Sequence, residues 1–307
     1  MNKTKIEWVR NPDGSPGYTW NPTTGCTKGC EYCYARRAAE NRLRGRFGYP
    51  ADEPFRPIVR PERFAEPLQV RTPSAIFVDS MGDLFDPAIP DIAIARVWWV
   101  MGQCVGLLDP TRYRGHTFMI LTKQPERMAR WLNGWVTPAV RREWIENLYA
   151  PGRGEVYDWQ SGPKYWPDAL PDVWLGVTCE NQQVANERIP HLLATPAAVR
   201  FVSVEPMLGP VDLCTAAPCG ECGEPDDDGV YNGCRGGEDC LDESWWSSGI
   251  HWVIVGQQTG PGATPPERVW VQEIADACRH MRVPLFLKDN LNWPERIQEF
   301  PQGGDVA

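Results

Sequence analysis

The residues best suited to chemistry lie near the start of the chain, in Trp20-Asn21-Pro22-Thr23-Thr24-Gly25-Cys26-Thr27-Lys28-Gly29-Cys30-Glu31-Tyr32-Cys33-Tyr34-Ala35. Cys26, Cys30 and Cys33 form a C-x3-C-x2-C run, and Gly25 and Gly29 permit the backbone angles that a tight loop requires. Thiolates turned towards one point bind metal. Four cysteines are usual for an electron-transfer iron–sulfur cluster. Three would leave one iron of a [4Fe–4S] cluster open to an outside ligand. The competing reading is a structural zinc loop, which takes four N or S ligands. The nearest histidine in sequence is His116 and no fourth cysteine follows locally, so zinc would need a distant ligand to close the site.

A second cysteine group is Cys219-Gly220-Glu221-Cys222, then Cys234 and Cys240, with Cys214 just upstream. Gly, Asp and Glu dominate between them, and the segment has too few apolar residues to build its own core. A bound metal would supply the missing folding free energy. The C-x2-C and C-x5-C spacings approach a zinc-ribbon or knuckle pattern. Zinc, or an auxiliary iron–sulfur cluster, is therefore expected on Cys219, Cys222, Cys234 and Cys240, in an insertion spanning 211–249. Cys104 and Cys278 fall on helix faces and Cys179 follows a strand; all three read as buried thiols.

The elements that must position these groups alternate. Tyr18-Thr19-Trp20 reads as a short strand delivering the first cysteine loop, and a helix over 34–42 follows it. Apolar β-rich runs recur at 75–78, 117–121, 173–177, 199–204, 251–255 and 283–287, with amphipathic stretches at about 90–108, 125–149, 182–194 and 267–282. Such alternation predicts parallel strands covered on both faces. The fold expected is α/β, a partial (β/α)6 TIM-like barrel in a single domain over 1–307, interrupted by the Cys-rich insertion. Polar residues follow each strand, where ligands bind in such folds: Asp79, Ser80 and Asp83; Thr122 and Lys123; Thr178 and Glu180; Glu205; Gln257 and Gln258; Lys288 and Asp289. Their recurrence predicts one shared pocket.

The cysteine loop resembles the signature of the radical S-adenosylmethionine (SAM) enzymes. The resemblance implies a [4Fe–4S] cluster on Cys26, Cys30 and Cys33, with SAM chelated at the open iron and cleaved reductively to a 5′-deoxyadenosyl radical. It implies an electron donor such as flavodoxin or ferredoxin. Tyr32, before the last cysteine, stands where the superfamily has an aromatic residue near the adenine. The superfamily's Gly-Gly-Glu-like turn, which binds the SAM amino group, is replaced here by Ser80-Met81-Gly82-Asp83, so Ser80, Asp83 and neighbouring carbonyls take that expectation. Thr178 and Glu180 correspond to ribose contacts, and Glu205 to a contact with SAM or substrate. The position-based alternative for Glu205 is a cap or an ion pair with Lys123. Segments 19–35, 79–85, 121–128, 174–181 and 202–210 are also similar to a phage-borne family of radical-SAM-like proteins. Relatives there tend to have Gly-Gly-Glu-Ser-Gly where this chain has Gly256-Gln257-Gln258-Thr259-Gly260.

Composition limits the rest. At 307 residues the chain can bury a large core. A net charge of −9 argues against wholesale electrostatic binding of nucleic acid, but leaves room for a local basic groove. Arg36, Arg37, Arg42, Arg44, Arg46, Arg56, Arg60 and Arg63 form the basic concentration of the chain, either a solvated face or a phosphate-binding strip. That strip and the phage-family likeness make a nucleic-acid base or nucleotide the first substrate class expected. The apolar stretch Ile92–Leu108 carries Arg96 and Gln103, and reads as a buried helix rather than a membrane span. Eleven cysteines without a signal segment suggest metal chemistry in a reducing cytoplasm, the host's if phage-encoded. Fifteen tryptophans read as core packing. The competing functional class is a non-catalytic metal-binding interaction module with structural zinc at both cysteine groups.

Overall fold

Short runs of β-branched and aromatic residues form strands, and the stretches between them that bury one face form helices. The computed structural model describes residues 1–106, 114–135, 168–213 and 249–301. Cys214, Cys219, Cys222, Cys234 and Cys240, nearly all of the expected 211–249 insertion, and the 136–149 part of one expected helix lie outside the described residues. The fold is mixed α/β with a mostly parallel sheet of eight strands. The chain divides into two compact units, each described by itself.

The first unit comprises Met1–Trp174 and Thr195–Ala198. Its strands are β1 (Asn2–Lys3), β2 (Tyr18–Trp20), β3 (Thr23–Thr24), β4 (Ile58–Val59), β5 (Ala75–Val78) and β6 (Thr117–Thr122). The sheet order is β1-β2-β5-β6, with β1 antiparallel to β2 and the other pairs parallel. β3 and β4 make a separate antiparallel ribbon. Helix α1 (Tyr34–Ala38) passes directly into a π-helical turn over Ala39–Leu43, where an unbroken α-helix was expected. Such turns are rare and often accompany functional sites. α2 (Glu66–Gln69), α3 (Asp91–Cys104) and α4 (Pro125–Trp135) follow. Proline at the first position of α4 costs nothing, because that amide has no helical partner.

The second unit comprises Leu175–Ala194 and Val199–Ala307. It holds most of β7 (Val173–Thr178), then α5 (Gln182–Leu193), β8 (Val199–Val204), β9 (Trp252–Val255), α6 (Arg268–His280) and β10 (Leu285–Leu287). The strand order is β7-β8-β9-β10, with β8, β9 and β10 parallel. Asn181 starts α5 by accepting the Val184 amide at 3.0 Å. β10 begins two residues later than its apolar run, because Pro284 has no amide to give the ladder.

Tryptophan serves packing as expected. Trp20 and Trp252 are fully buried, and each indole N–H finds a carbonyl, Arg63 at 2.8 Å and Glu299 at 2.9 Å respectively. Cys104, Cys179 and Cys278 are buried, also as expected. No described helix is long and apolar enough to cross a membrane.

One position reports on β7–β8 packing. A Cβ placed on Gly176 would lie 2.5 Å from the ring of Phe201. Gly176→Ala should therefore destabilise the chain by about 1–3 kcal/mol in denaturant unfolding, as overpacking does. Phe201→Leu in the same background should recover part of the loss. A Gly176→Ala protein as stable as its parent would contradict this packing.

Candidate metal centre

In the first unit, β2 ends at Trp20 and the chain turns through β3 into the cysteine loop. Three aspartates on the segment after β5 hold this turn. Asp79 accepts from the Thr23 amide at 2.9 Å and the Thr23 hydroxyl at 2.6 Å. Asp86 accepts from the Thr27 amide at 2.6 Å and the Thr27 hydroxyl at 2.8 Å. Asp83, between them, accepts from the amides of Phe85 and Lys123 and, at 2.7 Å, from the Thr122 hydroxyl. All three are buried. Arg127 closes the loop beneath them by donating to the carbonyls of Asp86 and Ile89 and to the Asp91 carboxylate.

Backbone meets backbone at the first cysteine. The Gly25 amide donates to the Met81 carbonyl at 2.8 Å, and Gly25 bridges Gly82. A Cβ on Gly82 would lie 2.9 Å from the Gly25 carbonyl oxygen; one on Gly25, whose φ is +87°, would lie 2.2 Å from that of Arg56. Only glycine allows this approach. Asn21 steadies the opposing turn through the Met81 amide at 2.8 Å and the Ser80 hydroxyl. The Tyr34 hydroxyl donates to the Ser80 carbonyl.

Cys26, Cys30 and Cys33 are free and half-buried. Two of the sulfurs already accept backbone amides: Lys28 to Cys26 Sγ and Arg36 to Cys33 Sγ, each at 3.3 Å. Such bonds stabilise sulfur that carries negative charge. Burial, with the nearby Asp83 and Asp86 carboxylates adding to it, pushes the Cys26 thiol up to about 12. Cys26 therefore keeps its proton at neutral pH. Among the described residues, no three His, Cys, Asp or Glu side chains form a group that could hold a single metal ion.

The sequence-expected residues fall into two groups, one per unit. In the first, Tyr32 lies under the Lys123 ammonium, 5.3 Å from its ring centroid, while the Lys123 amide is held by Asp83. Tyr32, Ser80 and Asp83 thus surround the cysteine loop. Asp83 itself is engaged by three protein donors. In the second unit, Glu180 forms a buried ion pair with Arg188 at 3.1 Å, and Arg188 also donates to the Thr178 carbonyl at 2.7 Å. Glu205 pairs with Lys288, not with Lys123, and a Cβ on the intervening Gly256 would meet both side chains at 2.8–3.0 Å. Lys288 was expected at a strand end, whereas Asn21, Asp86, Arg127 and Arg188 were not marked by the sequence as site-building residues. Their only signal there was a polar residue beside a strand end or on a helix.

The basic stretch is divided. Arg60 is buried over Tyr49 and donates to Thr24, and Arg36 lies over Phe55. Arg42, Arg44 and Arg46 are exposed.

Residues 3–302 match the family model described as "Protein of unknown function (DUF5131)", and the chain belongs to that family. No curated protein and no solved structure matches it.

Burial raises the Asp79 carboxyl from 3.8 to about 7, against the opposing pull of the Thr23 hydrogen bonds. The folded chain then binds a proton that the unfolded chain has lost, so this contribution is complete below 3.8 and is lost as pH rises through about 7. The change is on the order of 4 kcal/mol. Asp79→Asn should flatten the fall in unfolding free energy across that window. An unchanged pH slope would show that Asp79 does not titrate there.

Proposed function

We propose that this chain is a radical SAM enzyme whose Cys26, Cys30 and Cys33 hold a [4Fe–4S] cluster. The observation that carries the reading is the cysteine loop itself: three half-buried thiols at the carboxyl end of parallel strand β2, with backbone amides already aimed at two of them. Bound there, the cluster and SAM would supply a 5′-deoxyadenosyl radical, and the protein's part is to bind, orient and exclude water.

The surrounding residues fit that part. Gly25 and Gly82 bring the turn after β5 against the loop, so carbonyls such as that of Ser80 stand beside it. Asp83 acts by fixing this turn and Lys123 rather than by offering a free carboxylate. Lys123 in turn orients Tyr32, the residue given to the adenine. Thr178, Glu180 and Glu205 belong to the SAM or substrate side of the reading, with Arg188 and Lys288 as their holders. The partial barrel is part of the proposal, as are zinc or an auxiliary cluster on Cys219, Cys222, Cys234 and Cys240. Flavodoxin or ferredoxin would donate the electron, and a nucleic-acid base or nucleotide is the substrate class proposed.

The test is anaerobic purification with iron, sulfide and zinc analysis, then dithionite reduction with SAM. About four irons per chain, as one cluster requires, and release of 5′-deoxyadenosine are expected. Alanine at Cys26, Cys30 or Cys33 should abolish both, while Cys219→Ala with Cys222→Ala should remove only the second metal. Zinc alone, with no SAM cleavage after anaerobic cluster reconstitution, would replace this reading with a metal-binding interaction module.

A further inference from the structure

The loop leaving the π-helical turn carries an arrangement that a cluster site does not need. Phe47 is 76 % exposed and has a φ of +51°. That left-handed conformation is a true outlier for a bulky side chain. The loop around it is well fixed. Arg46 donates its amide to Leu43, Tyr49 returns an amide to Arg46, and the Arg44 guanidinium is held by the Ala51 carbonyl at 2.8 Å. A Cβ on Gly48, whose φ is +81°, would lie 2.1 Å from Arg60 Nη1, so that guanidinium would have to shift. Tyr49 and Phe55 then pack with Ala35 and Ala39 in a small core, and Cys26 and Cys33 pack against that same core.

The result is a rigid pedestal that presents one aromatic ring outward with Arg42 and Arg46 exposed close to it in sequence. Residues 31–63 hold eight arginines against five acids, in a chain of net charge −9. An outward aromatic beside cations is how proteins take single-stranded nucleic acid without reading its sequence: the ring stacks on a base while the cations follow the backbone. The planar guanidinium suits phosphate. A lipid surface would ask for a wider apolar face than one ring.

We infer that residues 42–48 form a docking finger for single-stranded nucleic acid, with Phe47 stacking on a base and Arg42 and Arg46 meeting flanking phosphates. The finger deepens the substrate class of the proposed function and takes its biological sense from that reading. Its test nevertheless needs neither cluster nor SAM, so the two can fail separately.

The experiment is fluorescence anisotropy of the full chain with a labelled oligothymidylate of about 20 nucleotides, longer than one binding site of ~4–16. Phe47→Ala should weaken binding about tenfold. Arg42→Glu with Arg46→Glu should abolish most of it, and Arg42→Ala with Arg46→Ala should lower the salt slope by about 1.4. Phe47→Asn, which suits the left-handed backbone, should bind as weakly as Phe47→Ala yet melt no lower than the parent, separating lost stacking from lost folding. Unchanged affinity in the Phe47 variants, or binding to anionic vesicles but not to the oligonucleotide, would overturn the inference.

Discussion

Three buried carboxylates on one short segment govern the first unit. Asp79, Asp83 and Asp86 lie after β5, and a carboxylate away from water is costly unless donors surround it. Each is surrounded. Asp79 takes both donors of Thr23, Asp86 both donors of Thr27, and Asp83 those of Phe85, Thr122 and Lys123. The donors come from the cysteine loop on one side and the end of β6 on the other. Satisfying the acids therefore fixes both. Movement of the loop by one residue would strand a buried carboxyl group without its donors.

This explains why the loop can be spare in everything else. Gly25 and Gly82 remove side chains so that backbones touch, and the Asp79 and Asp86 contacts on Thr23 and Thr27 fix the register of that touch. The same acids act on the chemistry. Asp83 and Asp86 add to the burial that keeps the Cys26 thiol protonated. A metal bound there, as proposed, would bring positive charge into a negative field, invert the balance and favour the thiolate.

Much of this was legible in the sequence. The strands after β4 fall within two residues of their apolar runs, and the cysteine loop is visible as a spacing between glycines. What the sequence could not show is which polar groups choose each other. Asp83 reads as a free strand-end acid, but two of its three donors, Thr122 and Lys123, come near only through the β5–β6 pairing. Glu180 reads as a pocket carboxylate, yet Arg188, two turns along the following helix, claims it. Glu205 had Lys123 as its conceivable partner and found Lys288, because β8 and β10 both flank β9 and their ends meet across Gly256. The arginine strip, uniform in sequence, divides into buried braces and exposed cations only once Tyr49 and Phe55 are folded under Arg60 and Arg36.

Left-handed residues show where the fold has a reason of its own and where it has none. Asp79 adopts φ +55°, and that conformation lies at the turn where both its oxygens meet Thr23. Asn292 is a residue type that tolerates the region. Phe47 differs from both. Its ring lies mostly in water, so the unfavourable backbone is not offset by packing, and a glycine or asparagine would serve the turn better. Arg282, also exposed, shares the conformation at φ +55°, so the backbone alone does not mark a site. What sets Phe47 apart is its company: the loop that carries it leads into Tyr49 and Phe55, the small core against which Cys26 and Cys33 pack.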